Sequence, residues 1–230
     1  MIPVVLVPGL LCTAEVFAPQ IAALWPYGPV TVASTLEGKT IPEMAAAIIS
    51  AAPPRFALAG MSMGGYISFE ILRQAPQRVI KLALLNTSAR PDTREQIAQR
   101  RVLVARARAC DYKVFLAVAF SSMQHPAHRK NPLLRDINIR MGTTVGIEAM
   151  ARQTEAIIGR IDSRPTLATV SIPTLVLVGD SDPLTPPDRA HEIAAAIPNA
   201  RLVVIPECGH ESTLEQPMAV NQALIDWIIG

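Results

Sequence analysis

Cysteine is scarce in this chain of 230 residues, which has three, at positions 12, 110 and 208. An odd number without metal-ligand spacing excludes a disulfide framework and a zinc site. Each thiol is expected as a small buried hydrophobe. Long apolar runs are missing as well. Proline or charge breaks every one of them well short of the ~20 residues that cross a bilayer, so no membrane partner is expected. The opening MIPVVLVPGL has neither a basic leader nor a small-residue cleavage site, and a cytoplasmic location is the expectation. Internal repeats, low-complexity tracts and a flexible interdomain linker are absent, and no recognition motif or aromatic-rich basic cluster calls for nucleic acid.

What is present is a globular composition, 50% hydrophobic and 17% charged, long enough to bury one sizeable core. The net charge of +2 conceals an asymmetry, because residues 90–165 carry fourteen Lys/Arg against seven Asp/Glu. Arginines solvating helix faces explain such a segment. A sharper reading is attraction of an anionic substrate.

Short β-branched runs alternate with helical patterns, which is the mark of a parallel sheet built from βαβ units. Strands are expected at 2–7, 30–33, 55–59, 79–85, 174–178 and 201–205, and helices at 16–24, 41–51, 63–75, 188–196 and 217–229. The rhythm breaks between Asn86 and Ile172, where only helical patterns such as TREQIAQRRVLVARARA occur. The expected organisation is therefore a core of residues 1–88 and 166–230 with a helical insertion at 89–165, in which HPAHRKNP forms a loop that two prolines keep out of any helix.

Gly60-Met61-Ser62-Met63-Gly64 fits Gly-x-Ser-x-Gly and falls between a strand and a helix. Chance supplies such a pattern about 0.03 times in a chain of this composition. A strand turning sharply into a helix strains the serine backbone and exposes its hydroxyl, and the glycines avoid the collisions of that turn. The serine needs a base and an orienting acid to become a nucleophile. TLVLVGDSDPLTP offers Asp180 and Asp182 after one strand, and VVIPECGHES offers His210 after the last. The order Ser, Asp, His matches that chemistry. His125, His128 and His191 follow no strand end and are read as surface residues. Donors for a developing oxyanion are expected from the backbone N–H groups of Leu10, in the LVPGLLC turn, and Met63. Tyr66, Met61 and Met63 are candidates for lining a pocket, and core packing explains them equally.

These four stretches, in this order and across nearly the whole chain, resemble the α/β-hydrolase superfamily, in particular small bacterial esterases and lactonases with a helical cap. The resemblance implies an α/β-hydrolase fold of about six parallel strands flanked by helices, with 89–165 as the cap. Its acid loop, with the carboxylate three residues after a glycine and four before a proline, selects Asp182 over Asp180. It implies a serine hydrolase with catalytic Ser62, Asp182 and His210, acting through an acyl-enzyme on a small-molecule ester or lactone without cofactor or metal. A thioesterase, a carbon-carbon hydrolase or a lyase on an anionic substrate would use the same triad, and a non-catalytic ligand receptor would keep only the pocket. Two departures from the family pattern stand out. Pro8 occupies the place of a frequent histidine, and the chain begins at the equivalent of the family's third strand, so a sheet edge is expected to be exposed or left for a partner.

Overall fold

The computed structural model describes residues 1–230. Six strands, β1 (Val4–Val7), β2 (Val30–Val32), β3 (Phe56–Met61), β4 (Val79–Leu85), β5 (Thr174–Gly179) and β6 (Arg201–Ile205), form one sheet. All neighbours pair in parallel in the order β2-β1-β3-β4-β5-β6. A parallel sheet is covered on both faces, so its strands read as continuous apolar runs. In β1 the period of two divides the run VVLV between two cores. Val5 and Val7 pack toward α2 (Ile41–Ala51), α3 (Met63–Gln74) and α9 (Pro187–Ala196), while Val4 and Leu6 pack toward α1 (Ala18–Leu24) and α10 (Pro217–Ile229). The first strand starts at Val4, two residues later than its pattern suggests.

Between β4 and β5 the chain forms α4 (Arg94–Ala109), α5 (Tyr112–Met123), α6 (Pro132–Val145), α7 (Ile147–Ile158) and the short α8 (Arg164–Leu167). Polar caps fix where three of them begin: the Thr93/Gln96 capping box for α4, Asp111 for α5 and Asn131 for α6. Phe115, Leu116, Phe120, Ala149 and Met150 give these helices a small core of their own, which Leu11 joins from the turn after β1. The helical segment is thus anchored on the carboxyl end of the sheet, where open α/β sheets collect their sites. HPAHRKNP runs from residue 125 to 132 and links α5 to α6, with only its final proline inside α6.

One cysteine departs from expectation. Cys12 and Cys208 are buried, but Cys110 is exposed. It ends α4, a helix with Ala107 as its one buried residue, and its Sγ donates to the Arg106 carbonyl.

Candidate active site

Five turns at the carboxyl edge converge. Leaving β3, Ser62 adopts φ 55° and ψ −115°, a left-handed conformation that costs a non-glycine residue about 1–3 kcal/mol. The flanking glycines permit the close packing that forces this turn. A Cβ at Gly64 would collide with the Val7 carbonyl of β1, and one at Gly60 with the Gly64 carbonyl. Their role is close approach of strand, helix and neighbouring strand, and the half-exposed position of Ser62 follows from it.

His210 lies in the turn after β6 and bridges two partners. Its Nε2 is 2.9 Å from Ser62 Oγ, and its Nδ1 is 2.8 Å and 2.9 Å from the two carboxylate oxygens of Asp182. A carboxylate only accepts, so Nδ1 carries the proton and Nε2 is free to accept from the serine hydroxyl. Asp182 is buried and accepts further bonds from Asn86 Nδ2, Thr185 Oγ1 and the N–H groups of Leu184 and Thr185. Burial opposes ionisation of Asp182, but His210 and these donors outweigh it and hold the carboxyl below its ordinary range. For His210 burial favours the neutral form, and Asp182, with Glu211 and Glu215 behind it, overcomes that and raises the imidazole above its ordinary 6.5.

Neither the Leu10 nor the Met63 N–H donates to a backbone acceptor in any turn or cap. The turn carrying Leu10 lies against the serine, since a Cβ at Gly9 would sit 3.3 Å from Ser62 Cβ. Next to it Leu11 takes φ 63°, and its N–H donates to Gln153 Oε1 of α7, whose amide in turn donates to Thr35. The helical segment therefore braces the turn that presents Leu10.

A cavity of about 390 Å³ opens over Ser62 and His210. Its walls are largely apolar, from Leu10, Leu11, Phe115, Phe120, Met150 and Ile157 among others, as small-molecule sites usually are. Met61 and Tyr66 line it as expected, but Met63 does not. As the first residue of α3, Met63 projects into the core and is wholly buried.

Asp180 is apart from the relay. Its carboxylate accepts the N–H groups of Glu207 and Cys208 and so ties the turn after β5 to the turn after β6. His191 is exposed, whereas His128 is half-buried and bonds Glu215 through Nδ1 at 3.0 Å. Glu215 also accepts the N–H groups of Gly209, Glu211 and His125, clamping the His210 turn to the loop after α5.

Sequence reasoning missed Asn86, Thr185, Gln153 and Glu211. Only Thr185 had a local signal: an Asp followed two and three residues later by N–H groups it can accept is an Asx-type turn.

Glu211 is buried against His210, with Gln124 and Asn138 amides on Oε2 and no partner on Oε1. Burial pushes its carboxyl up to about 7 from 4.5, against those two amides. Between these values the unfolded chain has lost a proton that the folded chain still holds. Folding therefore weakens as pH rises from about 4.5 to 7 and levels off above, by about 3 kcal/mol at full effect. Glu211→Gln removes this titration. Urea unfolding of the variant and the native protein should show a stability gap that moves in the variant's favour by about 3 kcal/mol between pH 4 and pH 9. A gap independent of pH would contradict the assignment.

A family model described as alpha/beta hydrolase fold matches residues 51–217. Among solved structures, the chain is similar to a malate-bound thermophilic esterase from Thermogutta terrifontis, with TM-score 0.87 and 29% identity over 99% of this chain and 89% of that one. It is also similar to the enol-lactonase from Burkholderia xenovorans LB400, with TM-score 0.86 and 25% identity over 99% and 91%. A curated relative, the pimeloyl-acyl-carrier-protein methyl ester esterase of Nitrosomonas europaea, is 29% identical over 189 residues, or 77% of this chain and 73% of that protein.

Proposed function

We propose that this chain, which belongs to the alpha/beta hydrolase fold family, is a serine hydrolase that cleaves a carboxylic ester or lactone through an acyl-enzyme on Ser62. The observation that carries the reading is the relay in which His210 lies 2.9 Å from Ser62 Oγ and 2.8 Å from Asp182. Esterases and a lactonase among the similar proteins support it.

In the first half-reaction Ser62 Oγ attacks the acyl carbon as its proton passes to His210 Nε2. The carbonyl electrons move onto oxygen, where the Leu10 and Met63 N–H groups receive the charge; Met63 opens α3, so the helix dipole adds to its effect. Collapse expels the alkoxide, which takes the proton back from His210, and the acyl group stays on Ser62. Water then repeats the sequence, with His210 as its base, and the product acid leaves. Asp182 stays ionised and holds the imidazole in the tautomer that accepts at Nε2. The chemistry calls on no metal or cofactor, and His, Cys, Asp and Glu form no group suited to hold a metal ion. No helix is long and apolar enough to cross a membrane.

The test is a fluorophosphonate probe together with p-nitrophenyl butyrate. The probe should label Ser62 and abolish turnover, and Ser62→Ala should not label and should lose turnover by at least about 10⁴-fold. An unlabelled native protein, or a Ser62→Ala protein that hydrolyses at the native rate, would overturn the reading.

A further inference from the structure

Ion pairing offsets about half of the positive charge in residues 90–165. Of the fourteen cationic side chains there, eight are in ion pairs with carboxylates, and Arg100 alone lines the cavity over Ser62. Its pairing is incomplete in charge. Asp92, whose side chain is 1% exposed, accepts from Arg100 Nε at 2.5 Å and from Arg160 Nη2 at 2.8 Å, so one carboxylate serves two guanidiniums.

The two arginines divide the work. Arg160 is almost fully buried; its N–H groups go to the Arg90 and Ile157 carbonyls and to Asp92, and its plane stacks 4.2 Å over the Tyr66 ring. Four of its five N–H donors are taken, and it does not line the cavity over Ser62. Arg100 is more exposed, meets Asp92 through Nε and Nη2, and has no partner at Nη1. Gln96, Gln99 and Leu103 share one face of α4 with Arg100 and line the cavity with it. All three are exposed, so this face is the mouth. Glu211 is the one acidic side chain on the wall, and its raised carboxyl is only part-ionised near neutrality.

We propose that Arg100 is a specificity-determining residue that binds a carboxylate carried by the substrate remote from the scissile ester, with Asp92 holding the guanidinium ready. The inference rests on the hydrolase reading above and narrows its substrate class to carboxylate-bearing esters or lactones. A guanidinium fixed on one edge presents the other as a planar pair of donors, which matches a carboxylate and loses little side-chain entropy on binding. Its uncompensated charge at the mouth attracts an anion before contact.

The experiment compares mono-p-nitrophenyl glutarate, an anion, with p-nitrophenyl butyrate, which is neutral, in the native protein, Arg100→Gln and Arg100→Lys. The native protein is expected to favour the glutarate in kcat/KM, through KM, and the preference should shrink between 20 and 500 mM NaCl by screening. Arg100→Gln should lower the glutarate-to-butyrate ratio by about 10- to 100-fold, and Arg100→Lys, which keeps the charge, should retain a preference that salt erodes. Loss of packing around Asp92 alone would slow both esters together and leave the ratio unmoved in every variant, which would overturn the anion site. Ser62 labelling with turnover of both esters and no native preference would also overturn it, while leaving the hydrolase reading intact. If neither ester is cleaved and Ser62 is unlabelled, both fall.

Discussion

Ser62→Ala and His210→Ala are each expected to lower kcat for an ester by about 10⁴- to 10⁶-fold, and the double variant by little more than either alone. The reason is that proton removal and attack are one event. The Ser62 hydroxyl is a poor nucleophile at its ordinary pKa, and the imidazole 2.9 Å away does nothing without a hydroxyl to deprotonate. Residual activity should remain in all three variants, since the free N–H groups of Leu10 and Met63 can polarise a bound carbonyl without the relay. Steady-state kinetics on one activated ester settles the point. Losses that multiply in the double variant would mean that the two residues act in separate steps.

Asp182→Asn carries the next largest effect, of order 10⁴-fold in kcat. The substitution keeps the shape and most of the packing, but an amide donates where a carboxylate accepts. With the asparagine NH₂ turned toward His210, Nδ1 becomes the acceptor and the ring proton moves to Nε2, where it faces Ser62 and blocks the transfer. The change also removes the charge that raises the His210 pKa. Activity needs the neutral imidazole, so the native acid limb should have its midpoint above the ordinary 6.5, and the residual activity of Asp182→Asn should have its midpoint lower. A kcat loss with no movement of the acid limb would mark Asp182 as merely structural. Both Asp182 oxygens also accept from Asn86, Thr185 and Leu184, so an asparagine NH₂ in either orientation would face a donor. Asn86 reaches it from a left-handed φ of 46°, so strain at the end of β4 is spent on holding the acid.

Much of the site was legible because each chemical group sits in a local pattern. A serine between glycines at a strand-to-helix turn, a carboxylate in an Asx turn after a strand and a histidine after the last strand each announce themselves within ten residues. The sheet was legible for the same reason: six apolar runs of the right length are a periodic signal. Gln153, Asn86 and Arg160 gave none. Gln153 holds Leu11 across a separation of 142 residues, and no propensity or period encodes a bond of that span.

Composition left two readings of the fourteen cationic residues in the helical segment, solvation of helix faces and attraction of an anion. The tertiary structure revises that picture: it pairs eight of them with carboxylates and puts a single guanidinium on the cavity wall. Cys110 and Met63 are revisions of the same sort, since residue type ranks burial and only packing decides it.

By itself, then, the sequence determined the parallel sheet, the chain order of the serine, the aspartate and the histidine, and the turns that carry them, because hydrophobic period and turn chemistry act between near neighbours. The tertiary structure alone decided which amides and hydroxyls hold Asp182, which helix braces the turn that carries Leu10 and which arginine lines the cavity. Those choices depend on distances between segments remote in the chain, and only the packing of one element on another sets such distances.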